Sequence, residues 1–160
     1  MNSRRTIYFD ASAAVKLVVN ELGSENVRAR FAEHHRHFMT NLCFAEALGA
    51  LKGKMVHKII STDEYFRACS ELSCYLKDRR IDLDDALNIG LETFIQAEAL
   101  SEKHQCELDL SDALQIVTVK HGQRKSWDLV LATADRELEK AARTEGLCVW
   151  NVIDTSEPPA

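Results

Sequence analysis

Four carboxylates, Asp10, Glu46, Asp112 and Asp135, stand where acidic side chains could do chemistry, each beside an apolar strand-like or helix-like run. Asp10 directly follows Thr6-Ile7-Tyr8-Phe9 and precedes Ala11, Ser12, Ala13 and Ala14, which places it at a strand-to-helix turn. Helix capping accounts for such an Asp as well as catalysis does, since Asp is a favoured N-cap and gains from the helix dipole. Glu46 is harder to assign to structure alone. Leu42-Cys43-Phe44-Ala45 precedes it, Ala47-Leu48-Gly49-Ala50-Leu51 follows, and no basic residue lies within four positions. A buried, unpaired carboxylate costs several kcal/mol, so Glu46 is expected to bind metal, with an exposed stripe as the competing explanation. Asp112 opens the apolar run Ala113-Leu114-Gln115-Ile116-Val117, with Ser111 and Asp109 as alternative caps. Asp135 follows the strand-like Leu129-Val130-Leu131-Ala132-Thr133, where Thr133 could itself cap the next helix and leave Asp135 in its first turn.

Oxygen-only donors suit hard cations, so the expected cofactor is Mg²⁺ or Mn²⁺ rather than zinc, which favours cysteine and histidine ligands at short spacing. The cluster His34, His35 and His37, beside Arg36, reads as a solvated turn, and His57, His104 and His121 as helix-end surface residues. Five scattered cysteines with no C-x-x-C pair read as buried thiols in a reducing cytoplasm. The formal net charge of -5 at pH 7 argues against unassisted attraction to a polyanion, an objection that divalent ions on the carboxylates would answer.

Positioning these residues falls to short strands that alternate with helices. Strands are expected over residues 6–9, 37–40, 128–133 and 147–152, and helices over 11–19, 24–35, the segment around Glu46, 61–80, 83–104, 111–121 and 135–144. Ser61 and Glu64 fit a capping box, and Gly122 is placed to close the helix before it. Such alternation predicts an α/β fold, a three-layer α/β/α arrangement whose short, mainly parallel sheet is flanked by helices. Ligands in such folds collect at the carboxyl ends of the strands. With 160 residues, 46% of them apolar, one domain over residues 1–154 is expected, followed by a flexible tail over 155–160. No apolar stretch approaches the roughly 20 residues of a membrane-spanning helix, and Arg4 and Arg5 lead into a strand rather than a secretory core.

The segments Tyr8-Phe9-Asp10-Ala11-Ser12-Ala13-Ala14-Val15-Lys16-Leu17, Thr40-Asn41-Leu42-Cys43-Phe44-Ala45-Glu46, Leu110-Ser111-Asp112-Ala113 and Leu131-Ala132-Thr133-Ala134-Asp135 resemble, in order, the motifs of PIN-domain ribonucleases. The similarity is greatest to VapC-type toxins of toxin–antitoxin systems and spans residues 7–152. The resemblance implies that Asp10, Glu46 and Asp112 are the central acidic metal ligands and Asp135 a fourth, more loosely engaged one. It implies that Ser12 and Thr133 are hydroxyls beside the site. The substrate would be RNA, cleaved by metal-ion catalysis with no covalent protein nucleophile. Partners implied are a small cognate antitoxin and a second copy of the chain in a homodimer.

Among the basic residues, Lys16 is the best placed to meet a phosphate or a ligand carboxylate, with a salt bridge to Glu21 or Glu25 as the competing explanation. Phe31, Phe38, Phe66 and Leu76 could serve a partner surface, and core packing explains them singly. A haloacid-dehalogenase-like phosphatase needs a second acid two residues after the first, where this chain has Ser12. A receiver domain needs its acidic pair early, and Asp84-Asp85 comes too late. A free-standing RNA-processing nuclease and an inactive PIN-like binding module are the remaining alternatives.

Overall fold

Successive side chains of a strand point to opposite faces, and in the central strands both faces are apolar, so the middle of the sheet is coated by helices on two sides. The computed structural model describes residues 5–33, 36–84, 90–105, 107–124 and 128–159. Their order is β1 (Thr6–Phe9), α1 (Ala11–Val18), α2 (Ser24–Phe31), β2 (Arg36–Thr40), α3 (Asn41–Val56), α4 (Thr62–Lys77), β3 (Asp82–Asp84), α5 (Leu91–Lys103), α6 (Leu110–Arg124), β4 (Leu129–Thr133), α7 (Arg136–Thr144) and β5 (Val149–Asn151). The strands pair in parallel in the order β3-β2-β1-β4-β5.

Ile7 and Phe9 of β1 join Ala13, Leu17, Val27, Met39, Leu51 and Leu72 in one core, with helices α1 to α4. Tyr8, between them in sequence, faces the other core with Ala97, Leu100, Ile116, Leu131 and Leu138, under α5 to α7. The expected three-layer α/β/α architecture is therefore the observed one. The capping box at Ser61 and Glu64 is also present, each bonded to the other's backbone N–H. Gly23 enters α2 at φ +88, and a Cβ there would stand 2.8 Å from the Val152 carbonyl oxygen, so only glycine fits the approach to the end of β5.

Several expectations are corrected. Leu83 belongs to strand β3 and not to the start of a helix, because Asp82–Asp84 pair with β2 at the sheet edge. Gly122 lies inside α6, which continues to Arg124. His37 is buried in β2, stacked on Phe9 at a centroid distance of 5.6 Å; His34 and His35 lie outside the described residues. His104 and His121 are half-buried, within hydrogen-bonding distance of Glu145 and Gln96 respectively. Of the described cysteines, Cys43 is buried, Cys69 and Cys148 are half-buried and Cys74 is exposed; Cys106 lies outside the described residues. Phe31 and Phe38 go to the core and Leu76 is half-buried, whereas Phe66 is exposed. Residues 155–157, expected to fray, are tied down: the Thr155 carbonyl accepts from Trp150 Nε1, and Arg30 reaches the Ser156 carbonyl and the Glu157 carboxylate.

The second helical layer is fastened by one carboxylate. Glu145, which caps the C-terminus of α7, accepts from Lys103 Nζ at 2.6 Å and Lys120 Nζ at 2.7 Å, with His104 Nε2 at 3.1 Å. Burial disfavours its ionisation, but these bonds outweigh burial and hold its carboxyl at about 2. A depressed folded value stabilises the fold above the unfolded value of 4.5 and loses that contribution as pH falls towards 2. Lys103 is well exposed, so solvent screens part of the attraction. Glu145→Ala is expected to cost about 1.5 kcal/mol and to lower the melting temperature by about 3–6 °C at pH 7, with no difference near pH 2. An unchanged melt at pH 7 would remove this fastening role.

Candidate metal centre

The chain passes from β1 outward to β2 and β3, then returns to β4 on the other side of β1. Neighbouring strands β1 and β4 thus send their following helices to opposite faces of the sheet, and a crevice opens at their carboxyl ends. Asp10 stands at the end of β1 and Asp135 two residues past the end of β4. α3, which follows β2, brings Glu46, and the first turn of α6 brings Asp112. All four predicted acids line one cleft of about 320 Å³, together with Asp109, Ser12, Ser111, Cys43 and Gln115.

Asp10 is the innermost of them, 6% exposed. It serves as the N-cap of α1, accepting from the Ala13 N–H at 2.7 Å, so the cap and a place in the cleft fall on the same residue. Ser12 Oγ donates to it at 2.9 Å, and Thr133 Oγ1 donates to Oδ2 at 2.6 Å. The same two hydroxyls accept from the β4–α7 turn: Ser12 Oγ from the Ala134 N–H at 2.8 Å, Thr133 Oγ1 from the Asp135 N–H at 2.9 Å. Ser12 and Thr133, the predicted hydroxyl positions, therefore lock the ends of β1 and β4 together around Asp10. Burial pushes the Asp10 carboxyl up to about 6, against the lowering effect of Thr133, Ala13 and Ser12, and Asp135 adds repulsion.

Asp112 is half-buried, and capping does not explain it. Asp109 holds that role, with Oδ1 accepting from the Asp112 N–H at 2.9 Å and from Ser111 Oγ at 3.0 Å. Burial first, then repulsion from Asp109, Asp135, Asp10 and Glu46, pushes the Asp112 carboxyl up to about 7. Asp135 is exposed and is itself the N-cap of α7, accepting from Glu137 and Leu138 N–H groups through Oδ1. Thr133 does not cap that helix, a correction to the sequence expectation; its hydroxyl is turned to Asp10 instead. Glu46 is half-buried in the cleft wall, because α3 buries only Cys43, Ala47 and Leu51.

Lys16 does not line the cleft. Its ammonium is buried against Glu21 at 2.6 Å, and Lys54 holds the second Glu21 oxygen. The salt bridge weighed against phosphate binding is what forms, since a buried ammonium needs a partner carboxylate.

The donor set fits a hard divalent cation: five carboxylates, with two hydroxyl groups already committed to orienting Asp10. The raised values of Asp10 and Asp112 come first from burial and then from neighbouring acids, with no basic side chain among the described residues lining the cleft to offset them. Among the described residues, no three Asp, Glu, His or Cys side chains are gathered closely enough to hold a metal ion as they stand. Like charges sharing one cleft hold one another apart, and an ion would have to draw them in.

Two hydrogen-bonding residues of the lining were missed from sequence, Cys43 and Gln115. The signal was available: Gln115 interrupts the apolar run after Asp112 by three positions, and Cys43 precedes Glu46 by three, the spacing of one helix face. Burial pushes the Cys43 thiol up to about 12, with Asp10 and Glu46 adding to the rise. In comparisons with known proteins, no protein-family model matches this chain, and no curated protein matches its sequence.

Proposed function

We propose that this protein is a PIN-like, divalent-metal-dependent endoribonuclease and the toxin of a toxin–antitoxin pair. One observation carries the reading: Asp10, Glu46, Asp112, Asp135 and Asp109, scattered over the chain, line one cleft at the crevice between β1 and β4, with two of them held far above ordinary carboxylate values. Asp10, Glu46, Asp112 and Asp135 would hold Mg²⁺ or Mn²⁺. Such ions supply an activated water for in-line attack on a phosphodiester and charge stabilisation for the leaving oxygen.

The chain's own residues prepare the site. Ser12 and Thr133 fix the orientation of Asp10, so that little freedom is lost when a ligand arrives. No basic side chain lines the cleft among the described residues, so the substrate phosphate gains its attraction from cations held by the carboxylates rather than from lysine or arginine. RNA as substrate, the antitoxin and a homodimer rest on the sequence resemblance. Exposed Val56, Ile59 and Phe66, around the junction of α3 and α4, support a partner surface. No helix of the described residues is long and apolar enough to cross a membrane, and the free thiols suit a cytoplasmic setting.

The test is incubation of the partner-free protein with mixed structured RNAs, with and without Mn²⁺ or Mg²⁺, beside Asp10→Asn and Glu46→Gln variants. Metal-dependent cleavage that both variants lose is the expected result. Absence of cleavage together with absence of metal-induced stabilisation in a melting scan would sink the nuclease reading and leave a binding module.

A further inference from the structure

Gln115 is a polar side chain in an apolar stretch of α6, only 3% exposed. It lies about one turn beyond Asp112, so the two project from the same side of the helix, and both line the cleft. Its amide reaches two other elements. Nε2 donates at 3.3 Å to the carbonyl oxygen of Phe9, the last residue of β1 and the neighbour of Asp10. Oε1 accepts at 2.8 Å from the thiol of Cys43, about one turn before Glu46 on α3. The amide can face only one way. A carbonyl oxygen cannot donate, so Phe9 requires the NH₂ group, and Oε1 is left for the S–H of Cys43. Turned over, the amide would set two oxygens against each other at the end of β1.

We propose that Gln115 is a positioning residue whose single amide sets the spacing between the three elements carrying Asp10, Glu46 and Asp112. The inference rests on reading the cleft as a metal site. A shift of α3 or α6 relative to β1 breaks one of two buried hydrogen bonds and strands a polar group away from water, which the fold resists. The carboxylates repel one another, so a bond network that fixes their supports is what keeps them within reach of a shared cation. Residues that orient metal ligands in this way influence metal affinity by about 10- to 100-fold.

The experiment measures Mn²⁺ binding by isothermal titration calorimetry, alongside the melting temperature in EDTA. Gln115→Met keeps the length of the side chain and removes both bonds. It is expected to bind Mn²⁺ at least about 10-fold more weakly than wild type. Cys43→Ala is expected to show a smaller loss, and Cys43→Ser, which restores a donor to Oε1, to recover towards wild-type affinity. A merely structural role lowers the metal-free melting temperature and leaves Mn²⁺ affinity unchanged, and that result overturns the proposal. Should Gln115→Met fail to fold, the Cys43 pair decides: equal affinity in the alanine and serine variants overturns it, and recovery in serine upholds it. Loss of binding in Asp10→Asn with none in Gln115→Met overturns the positioning role alone. Wild-type protein that binds no Mn²⁺, or binds it equally well after Asp10→Asn, removes the metal-site reading and the proposal with it.

Discussion

Replacing Asp112 by asparagine is expected to raise the melting temperature of the metal-free protein by about 4–8 °C at pH 8, while reducing metal-dependent cleavage at least about 100-fold. The two effects share one cause. Burial and the surrounding acids hold the Asp112 carboxyl at about 7 in the folded protein, against 3.8 for an unperturbed Asp. The folded state therefore binds the proton more tightly than the unfolded chain. Its stabilising contribution is complete below 3.8 and is lost as pH rises through about 7. At pH 8 the ionised wild-type side chain opposes folding. Three units would amount to about 4 kcal/mol, and solvent at the cleft together with sharing of the repulsion among several acids reduces this to about 2 kcal/mol. Asparagine carries no charge and escapes that cost. Calorimetric melts in EDTA at pH 8 and pH 4 check the sign: the variant gains at the first and matches wild type at the second. Equal melts at both would mean that Asp112 is not under electrostatic load. With saturating Mn²⁺ the order reverses, because only the wild-type site is stabilised by ligand.

Thr133→Val is expected to lose on both counts. Valine has the shape of threonine and suits a strand, so packing at this fully buried position is preserved. The hydroxyl is what disappears, and it makes two bonds, one to the Asp10 carboxylate and one from the Asp135 N–H. A part-buried N–H and a buried carboxylate each lose a partner, at a cost of about 2 kcal/mol, or about 4–8 °C in melting temperature. The Asp10 carboxyl rises further, since Thr133 is the strongest of the contacts that hold it down. A metal ligand must be deprotonated to bind, so Mn²⁺ affinity falls by about 10- to 100-fold and its pH profile shifts upward. Thr133→Ser keeps the hydroxyl and restores the affinity. A Thr133→Val protein with wild-type affinity and an unshifted profile would show that Asp10 needs no such support.

The aromatic and β-branched runs before Asp10 and Asp135 announced strands, and the apolar stretches between them announced helices, because those preferences arise within a few residues. The same local rules found the capping box at Ser61 and placed each of the four acids beside an element end or on an apolar helix. They misjudged β3, where three residues gain strand geometry only by pairing with β2 at the sheet edge. They also left capping and chemistry undivided at Asp10, Asp112 and Asp135. The fold divides them: Asp109 caps α6 and releases Asp112, while Asp10 and Asp135 keep their caps and line the cleft as well.

Alternation of strands and helices, the demand of apolar positions for cover on both faces of a parallel sheet, and an oxygen donor set all follow from local residue patterns. Packing of whole elements sets β4 beside β1, which brings Thr133 to Asp10 across 123 positions of chain and makes neighbours of acids that are remote in sequence. It also decides that Glu21 claims Lys16, that His37 is buried against Phe9, and that one amide at Gln115 joins three elements. Periodicity reports the forces between residues a turn or two apart. Strand order, partner choice and the shape of a cleft follow from how whole elements pack, and no local pattern encodes that outcome.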